Sequence, residues 1–92
     1  MATKIDVLCK KEEMKRAEML VKAIQRAADT SNFKVEINLT SNFAAFAGLS
    51  FNPAQTPAIF INRQFEFSGF GINFPLLQKK LSEIRDKGSQ TY

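Results

Sequence analysis

The chain of 92 residues contains no histidine and only one cysteine, Cys9. The missing histidine excludes the Ser-His and Cys-His pairs that activate catalytic nucleophiles, together with the usual histidine-containing zinc sites. A single cysteine excludes an internal disulfide and any dithiol chemistry within one chain. These two absences remove most simple classes of enzyme.

Long apolar runs are missing as well. No segment approaches the roughly 20 consecutive apolar residues that span a bilayer, and the N-terminus lacks the apolar core of a signal peptide. We therefore expect a cytoplasmic protein without a membrane partner. The hydrophobic share of 45% and the charged share of 24% are those of an ordinary globular protein. The length predicts a single domain at residues 1–87, followed by a polar tail at 88–92.

The charge of the chain is mildly basic. Thirteen basic and nine acidic residues give a formal net charge of +4. This excess is modest and spread along the chain, so it indicates a solvated surface more readily than a nucleic-acid partner.

Hydrophobic periodicity predicts the first half of the fold. Alternating apolar residues predict strands at 4–9 and 33–39, and the charged wet face of the second strand is typical of a sheet edge. Between them, apolar residues recur at spacings of three and four, which predicts a helix that begins at Glu12 and ends before Asp29. Its apolar stripe consists of Met14, Ala17, Leu20, Val21, Ile24, Ala27 and Ala28.

Two further helices are predicted from capping signals. Ser41 or Asn42 is placed to cap a short helix at 43–47, and Gly48 to end it. Asn73 is placed to cap a final helix that carries Pro75 in its first turn. The buried stripe expected for that helix is Leu76 or Leu77, the stem of Lys80, Leu81 and Ile84.

A hairpin precedes the final helix. The apolar run Ala58–Ile61 predicts a strand buried on both faces, whereas Phe65 and Phe67 alternate with polar residues as on a strand with one wet face. Asn62 tolerates a positive φ and therefore favours a turn between the two. A right-handed crossover makes the first two strands parallel. The predicted fold is α/β, a four-stranded mixed sheet in the order β-α-β-(short α)-β-β-α, flanked by helices.

The run from Thr56 to Gly69, Thr-Pro-Ala-Ile-Phe-Ile-Asn-Arg-Gln-Phe-Glu-Phe-Ser-Gly, resembles the second half of small thioredoxin-like and glutaredoxin-like domains. In those domains a cis-proline precedes a strand, a turn, a strand and a glycine. The first half of the chain matches in architecture, so the resemblance covers residues 4–86. It implies a thioredoxin-like fold, a cis bond before Pro57, and backbone groups of Thr56 that pair with an extended peptide or a thiol ligand.

The chain departs from that family at the redox motif. A Cys-x-x-Cys lies in the family where the first strand enters the helix, because the helix N-terminus lowers the pKa of the attacking thiol. The corresponding stretch here is Met14-Lys15-Arg16-Ala17, which has no cysteine. Our main interpretation is therefore a redox-inactive thioredoxin-like domain, without cofactor or metal, that binds a protein or peptide beside Pro57. The binding residues expected are Thr56, Pro57, Met14, Lys15, Arg16, Gly69 and Phe70.

Cys9 has two interpretations. As a structural residue it continues the buried face of Ile5 and Val7. As a functional residue it is a monothiol whose pKa is lowered by Lys10 and Lys11. The functional interpretation gives a thioredoxin-like or glutaredoxin-like oxidoreductase that acts through Cys9 alone or with an external thiol such as glutathione.

Two surfaces are left for other partners. Surplus phenylalanines are expected to form an exposed patch for a partner or a second copy, and the edge strand is another route to a homo-oligomer. The surplus phenylalanines are Phe43, Phe46, Phe51, Phe70 and Phe74. The stretch 63–70 also imitates the aromatic spacing of an RNA-recognition strand. The glycine positions of that motif are filled by Gln64 and Glu66, so RNA binding is the minor alternative.

Overall fold

The computed structural model describes residues 3–32, 34–72 and 74–89. Its strands are β1 (Thr3–Leu8), β2 (Val35–Thr40), β3 (Ala58–Ile61) and β4 (Gln64–Ser68). The helices are α1 (Met14–Thr30) and α2 (Phe74–Ser89), with short 3₁₀ helices at Lys11–Glu13 and Phe43–Phe46. Three parts of the predictions lie outside the described residues. They are residue 33 of the strand predicted at 33–39, the predicted cap at 73, and residues 90–92 of the predicted tail. Helix α2 extends through Ser89, past the predicted start of that tail.

The four strands form one open mixed sheet in the order β2-β1-β3-β4. β1 and β2 are parallel, whereas the β1–β3 and β3–β4 pairs are antiparallel. The predicted α/β class, the mixed sheet and the edge position of β2 are confirmed. β3 lies inside the sheet and all four of its residues are buried, as its continuous apolar run predicts.

Helices α1 and α2 cover one face of the sheet. The stripe predicted for α1 is confirmed, because its residues are buried or pack against the core. In α2 the buried leucines are Leu77 and Leu81, whereas Leu76 is 51% exposed. The helix-side cluster of fully or largely buried residues comprises Ile5, Val7, Cys9, Ala17, Leu20, Ile24, Ala27, Ala28, Ile59, Ile61, Leu77 and Leu81.

A second cluster of aromatic side chains covers the opposite face. Phe60 lies at its centre, and its ring centroid is 4.9 Å from that of Phe46, 5.1 Å from that of Phe51 and 5.9 Å from that of Phe65. The predicted exposed phenylalanine patch is therefore wrong. In the part of the chain that the structure describes, every phenylalanine packs against one of the two clusters. The surplus of aromatic residues exists because this small sheet is covered on both faces.

A β-bulge at Glu66 changes the expected faces of β4. Ile59 pairs with Phe67 and Phe60 with Phe65, so Glu66 has no partner in the register. The extra residue turns Phe65 toward the aromatic cluster and Phe67 toward the helix-side cluster. The prediction that Phe65 and Phe67 share one buried face is wrong. The two rings are also not arranged on one surface, as stacking on RNA bases would require.

The hairpin turn is tight and anchored by an arginine. Asn62 and Arg63 have φ values of 51° and 69°. A two-residue hairpin turn of type I′ requires positive φ angles at both of its central residues. The Arg63 side chain reaches back over the Phe46 ring at 4.9 Å and donates a hydrogen bond to the Ala45 carbonyl at 2.9 Å. The turn therefore also holds the second 3₁₀ helix against the sheet.

Capping of that 3₁₀ helix differs from the prediction. The Asn42 side chain makes no capping hydrogen bond, and the backbone N–H of Asn42 instead donates to Thr40 Oγ1 at 3.0 Å.

The bond between Thr56 and Pro57 is cis, as predicted.

We expect Phe60→Ala to lower the free energy of unfolding by about 3–5 kcal/mol, because it removes the centre of the aromatic cluster from a fully buried position. Urea denaturation followed by circular dichroism measures this loss. Met19→Ala is the control, since Met19 is 73% exposed and its truncation should cost less than about 0.5 kcal/mol. Equal losses for the two variants would contradict the central position of Phe60.

Candidate functional site

Glu13 connects the start of α1 to the loop that precedes β3. Its Oε1 accepts one hydrogen bond from the backbone N–H of Lys10 at 2.9 Å and another from the hydroxyl of Thr56 at 2.9 Å. The bond from Lys10 has the largest effect and lowers the pKa of Glu13. Burial, the next in size, raises that pKa, and the Thr56 hydroxyl and the charges of Lys10 and Arg16 lower it. The carboxylate is thus ionised and already occupied by donors. It fastens two segments together and is poorly placed to accept a proton from a substrate.

Cys9 lies directly after β1 and is completely buried. Its thiol points at the Met14 sulfur, with 3.4 Å between Sγ and Sδ. Burial raises the pKa of Cys9, and the negative charge of Glu13 raises it further. The structural interpretation of Cys9 is confirmed. The expectation that Lys10 and Lys11 lower its pKa is wrong, because burial and the charge of Glu13 together raise it.

Thr56 and Pro57 form the entry to β3. Pro57 is fully buried, and its carbonyl accepts a hydrogen bond from the Gly69 N–H at 2.8 Å. Gly69 has a φ of 85°, a conformation that side chains rarely adopt. Pro57 is buried next to Thr56 and limits how far Thr56 can move. Among the described residues, no backbone–backbone hydrogen bond involves Thr56, and the half-buried side chain of Thr56 is held by Glu13.

Arg16 and Phe70 form a second group next to this entry. The guanidinium carbon of Arg16 lies 4.1 Å from the centroid of the Phe70 ring, which is within cation–π distance. Phe70 and Met14 are partly buried against the helix-side cluster, so Met14 is a core residue. Lys15 is exposed.

The structure thus brings the predicted residues together in two groups. One group contains Cys9, Met14 and Thr56, and the other contains Arg16 and Phe70. The hydrogen bond from Gly69 to Pro57 joins the segment that carries Phe70 to the segment that carries Thr56. Glu13 is a site residue that the predictions from sequence do not include. Its position three residues after Lys10, as in a capping box, is the local signal that points to it.

A groove runs along the outer side of α1, and we call it the α1–α2 groove. Its first part, of about 270 Å³, is lined by Arg16, Met19, Leu20, Ala23, Phe70 and Phe74. Its second part, of about 300 Å³, is lined by Ala23, Arg26, Ala27, Thr30, Phe74 and Gln78. The two parts are adjacent, since Ala23 and Phe74 line both.

Within residues 3–32, 34–72 and 74–89, no group of three or more histidine, cysteine, aspartate or glutamate side chains is arranged to hold a metal ion. None of the helices described has the length and apolar composition needed to cross a membrane.

Comparison of the chain with models of known protein families, with curated proteins and with solved structures finds no match.

The raised pKa of Cys9 predicts slow alkylation. Near neutral pH, the native chain should react with iodoacetamide at least about tenfold more slowly than the chain unfolded in guanidinium chloride, because the thiol is buried and protonated. Mass spectrometry of timed samples measures both rates. Equal rates in the two states would show that Cys9 is accessible and ionised.

The hydrogen bond between Glu13 and Thr56 is tested by a double-mutant cycle of Glu13→Gln and Thr56→Val. We expect a coupling free energy of about 0.5–1 kcal/mol at neutral pH, measured by urea denaturation. Gln25→Ala, which removes an exposed hydrogen bond to Asp29 elsewhere on α1, should show no coupling to Thr56→Val.

The same contact predicts a pH dependence. A carboxyl group with a lowered pKa stabilises the folded state above its ordinary pKa of 4.5, and this contribution is lost as the pH falls through the lowered value. The stability difference between the wild type and Glu13→Gln should therefore be constant near neutral pH and shrink below about pH 4.5. A difference that grows on acidification would contradict the assignment.

Proposed function

We propose that the chain is a thioredoxin-like domain without redox activity that binds an extended peptide segment of a partner protein at the entry to β3, beside Pro57. The observation that carries this proposal is the state of Thr56. Its side chain is tied to Glu13 at 2.9 Å, while its backbone has no backbone partner among the described residues. A fixed backbone with unused N–H and C=O groups is what an added peptide strand pairs with.

The surroundings of Thr56 favour a peptide over a small substrate. The hydrogen bond between Pro57 and Gly69 holds the segment against the end of β4, so little backbone movement is lost when a peptide binds. Exposed Lys15 and the Arg16–Phe70 pair would lie alongside such a peptide and contact its side chains. Under this proposal Met14 supports the site from the core.

The competing function is a thiol-disulfide oxidoreductase that acts through Cys9, alone or with glutathione. Thiol exchange needs an accessible thiolate. The complete burial of Cys9 and its raised pKa oppose both requirements. We therefore assign no catalytic residue.

The proposal is tested with peptides selected against the chain from a displayed random library. Selected peptides should shift the amide resonances of Thr56 and Gly69 in ¹⁵N-labelled protein. Pro57→Ala should weaken their binding at least about tenfold, because the substitution releases the position of Thr56. Fluorescence anisotropy measures the affinities.

Pro53→Ala is the matched control, since Pro53 is exposed in the preceding loop. Thr56→Val is a second test that removes only the tether to Glu13. Cys9→Ser should leave affinity unchanged. Full affinity in a folded Pro57→Ala protein, or amide shifts confined to other surfaces, would overturn the proposal, and loss of binding in Cys9→Ser would favour the thiol function.

A further inference from the structure

We propose that the α1–α2 groove is a second, separate docking surface, and that its occupant is an amphipathic helix of a partner protein with an apolar stripe between two carboxylates. The groove starts at the Arg16–Phe70 pair and continues along α1 away from Thr56. A peptide at the entry to β3 would also contact that pair, so the two surfaces meet there, whereas Met19, Ala23 and Arg26 line the groove alone.

The floor of the groove is apolar, and much of it consists of small side chains. Ala23 and Ala27 of α1 and Phe74 at the start of α2 line it, and small residues allow the backbone of another helix to approach closely. Met19 lines its first part with 73% of its surface exposed, and it is one of two exposed large apolar side chains among the described residues. Methionine adapts its shape to different partners and is common on surfaces that bind helices.

The charge around the groove is of one sign. Arg16 lines its first part and Arg26 its second, whereas no acidic residue lines either part. Within the described ranges, neither arginine forms a salt bridge. Arg16 has one acidic neighbour, since its charge lowers the pKa of Glu13, but that carboxylate already accepts hydrogen bonds from Lys10 and Thr56. Asp29 accepts a hydrogen bond from Gln25 at 3.0 Å.

This arrangement specifies the spacing of the partner's charges. Arg16 and Arg26 are ten positions apart on one helix, which corresponds to roughly 15 Å along its axis. A partner helix in the groove would place two carboxylates about three turns apart to reach both guanidinium groups. Arginine is also among the residues that carry most binding energy in interfaces.

A displayed library of peptides of about 16 residues, long enough for roughly four helical turns, tests this inference. We expect selection to enrich apolar stripes flanked by acidic residues about three turns apart, and selected peptides to shift the amide resonances of Met19 and Ala23. Arg26→Glu should weaken binding at least about tenfold, which is the loss expected for one interfacial arginine. Met19→Ser should weaken it without disturbing the core.

Lys22→Glu is the matched control, because it makes the same change of charge on the exposed side of α1 outside the groove. Its effect should stay below about threefold. A peptide with lysine in place of the matching glutamate should recover affinity for Arg26→Glu. Pro57→Ala and Thr56→Val should retain full affinity, which separates this surface from the proposed site at β3.

Three results would overturn the inference. The first is enrichment of peptides without acidic residues, and the second is an equal loss of affinity in Arg26→Glu and Lys22→Glu. The third is selection of peptides that lose affinity for Pro57→Ala and shift only the amide resonances of Thr56 and Gly69, because such peptides occupy the entry to β3.

Discussion

The burial of β3 on both faces is the constraint on which the rest of the structure depends. Ile59 and Ile61 face the two helices, whereas Ala58 and Phe60 face the aromatic cluster. A strand that is apolar on both faces needs cover on both, and only α1 and α2 are long enough to cover one side. The second cover comes from a loop with a short 3₁₀ helix, which Phe46 and Phe51 attach to Phe60. The segment that leads into β3 is consequently held from several directions, and Thr56 is part of that segment.

The environment of Thr56 shows how the edge at the entry to β3 is held in place by hydrogen bonds. A carboxylate at the beginning of α1 holds the threonine hydroxyl, and the glycine after β4 holds the proline carbonyl. Neither contact uses the Thr56 backbone. The one thiol of the chain lies behind this edge, buried and paired with a methionine sulfur. The structure thus separates the rigidity of the edge from any chemistry of the thiol.

Most of the fold could be predicted from sequence because its signals are local. The stripe of α1 and the apolar run of β3 depend on residues that are close in the chain, and so does the succession of elements along it. The position of β3 beside β1 in the sheet was not part of the prediction. The bulge at Glu66 was not predictable in this way, since the face of Phe67 depends on pairing with Ile59 across the sheet. The same holds for the candidate site. Glu13 and Thr56 are 43 residues apart, and the charge nearest to Cys9 in space differs from the charges nearest in sequence.

The bulge in β4 also affects how the sheet meets other molecules. β2 and β4 are the two open edges, and an open edge is a template on which a second chain can add a strand. The unpaired residue at Glu66 interrupts the regular spacing of backbone groups along β4, while the exposed Glu36 and the adjacent exposed Lys34 place charges along β2. Both edges therefore resist uncontrolled extension of the sheet into aggregates. The peptide pairing that we propose at Thr56 would take place at the entry to β3, away from these two edges.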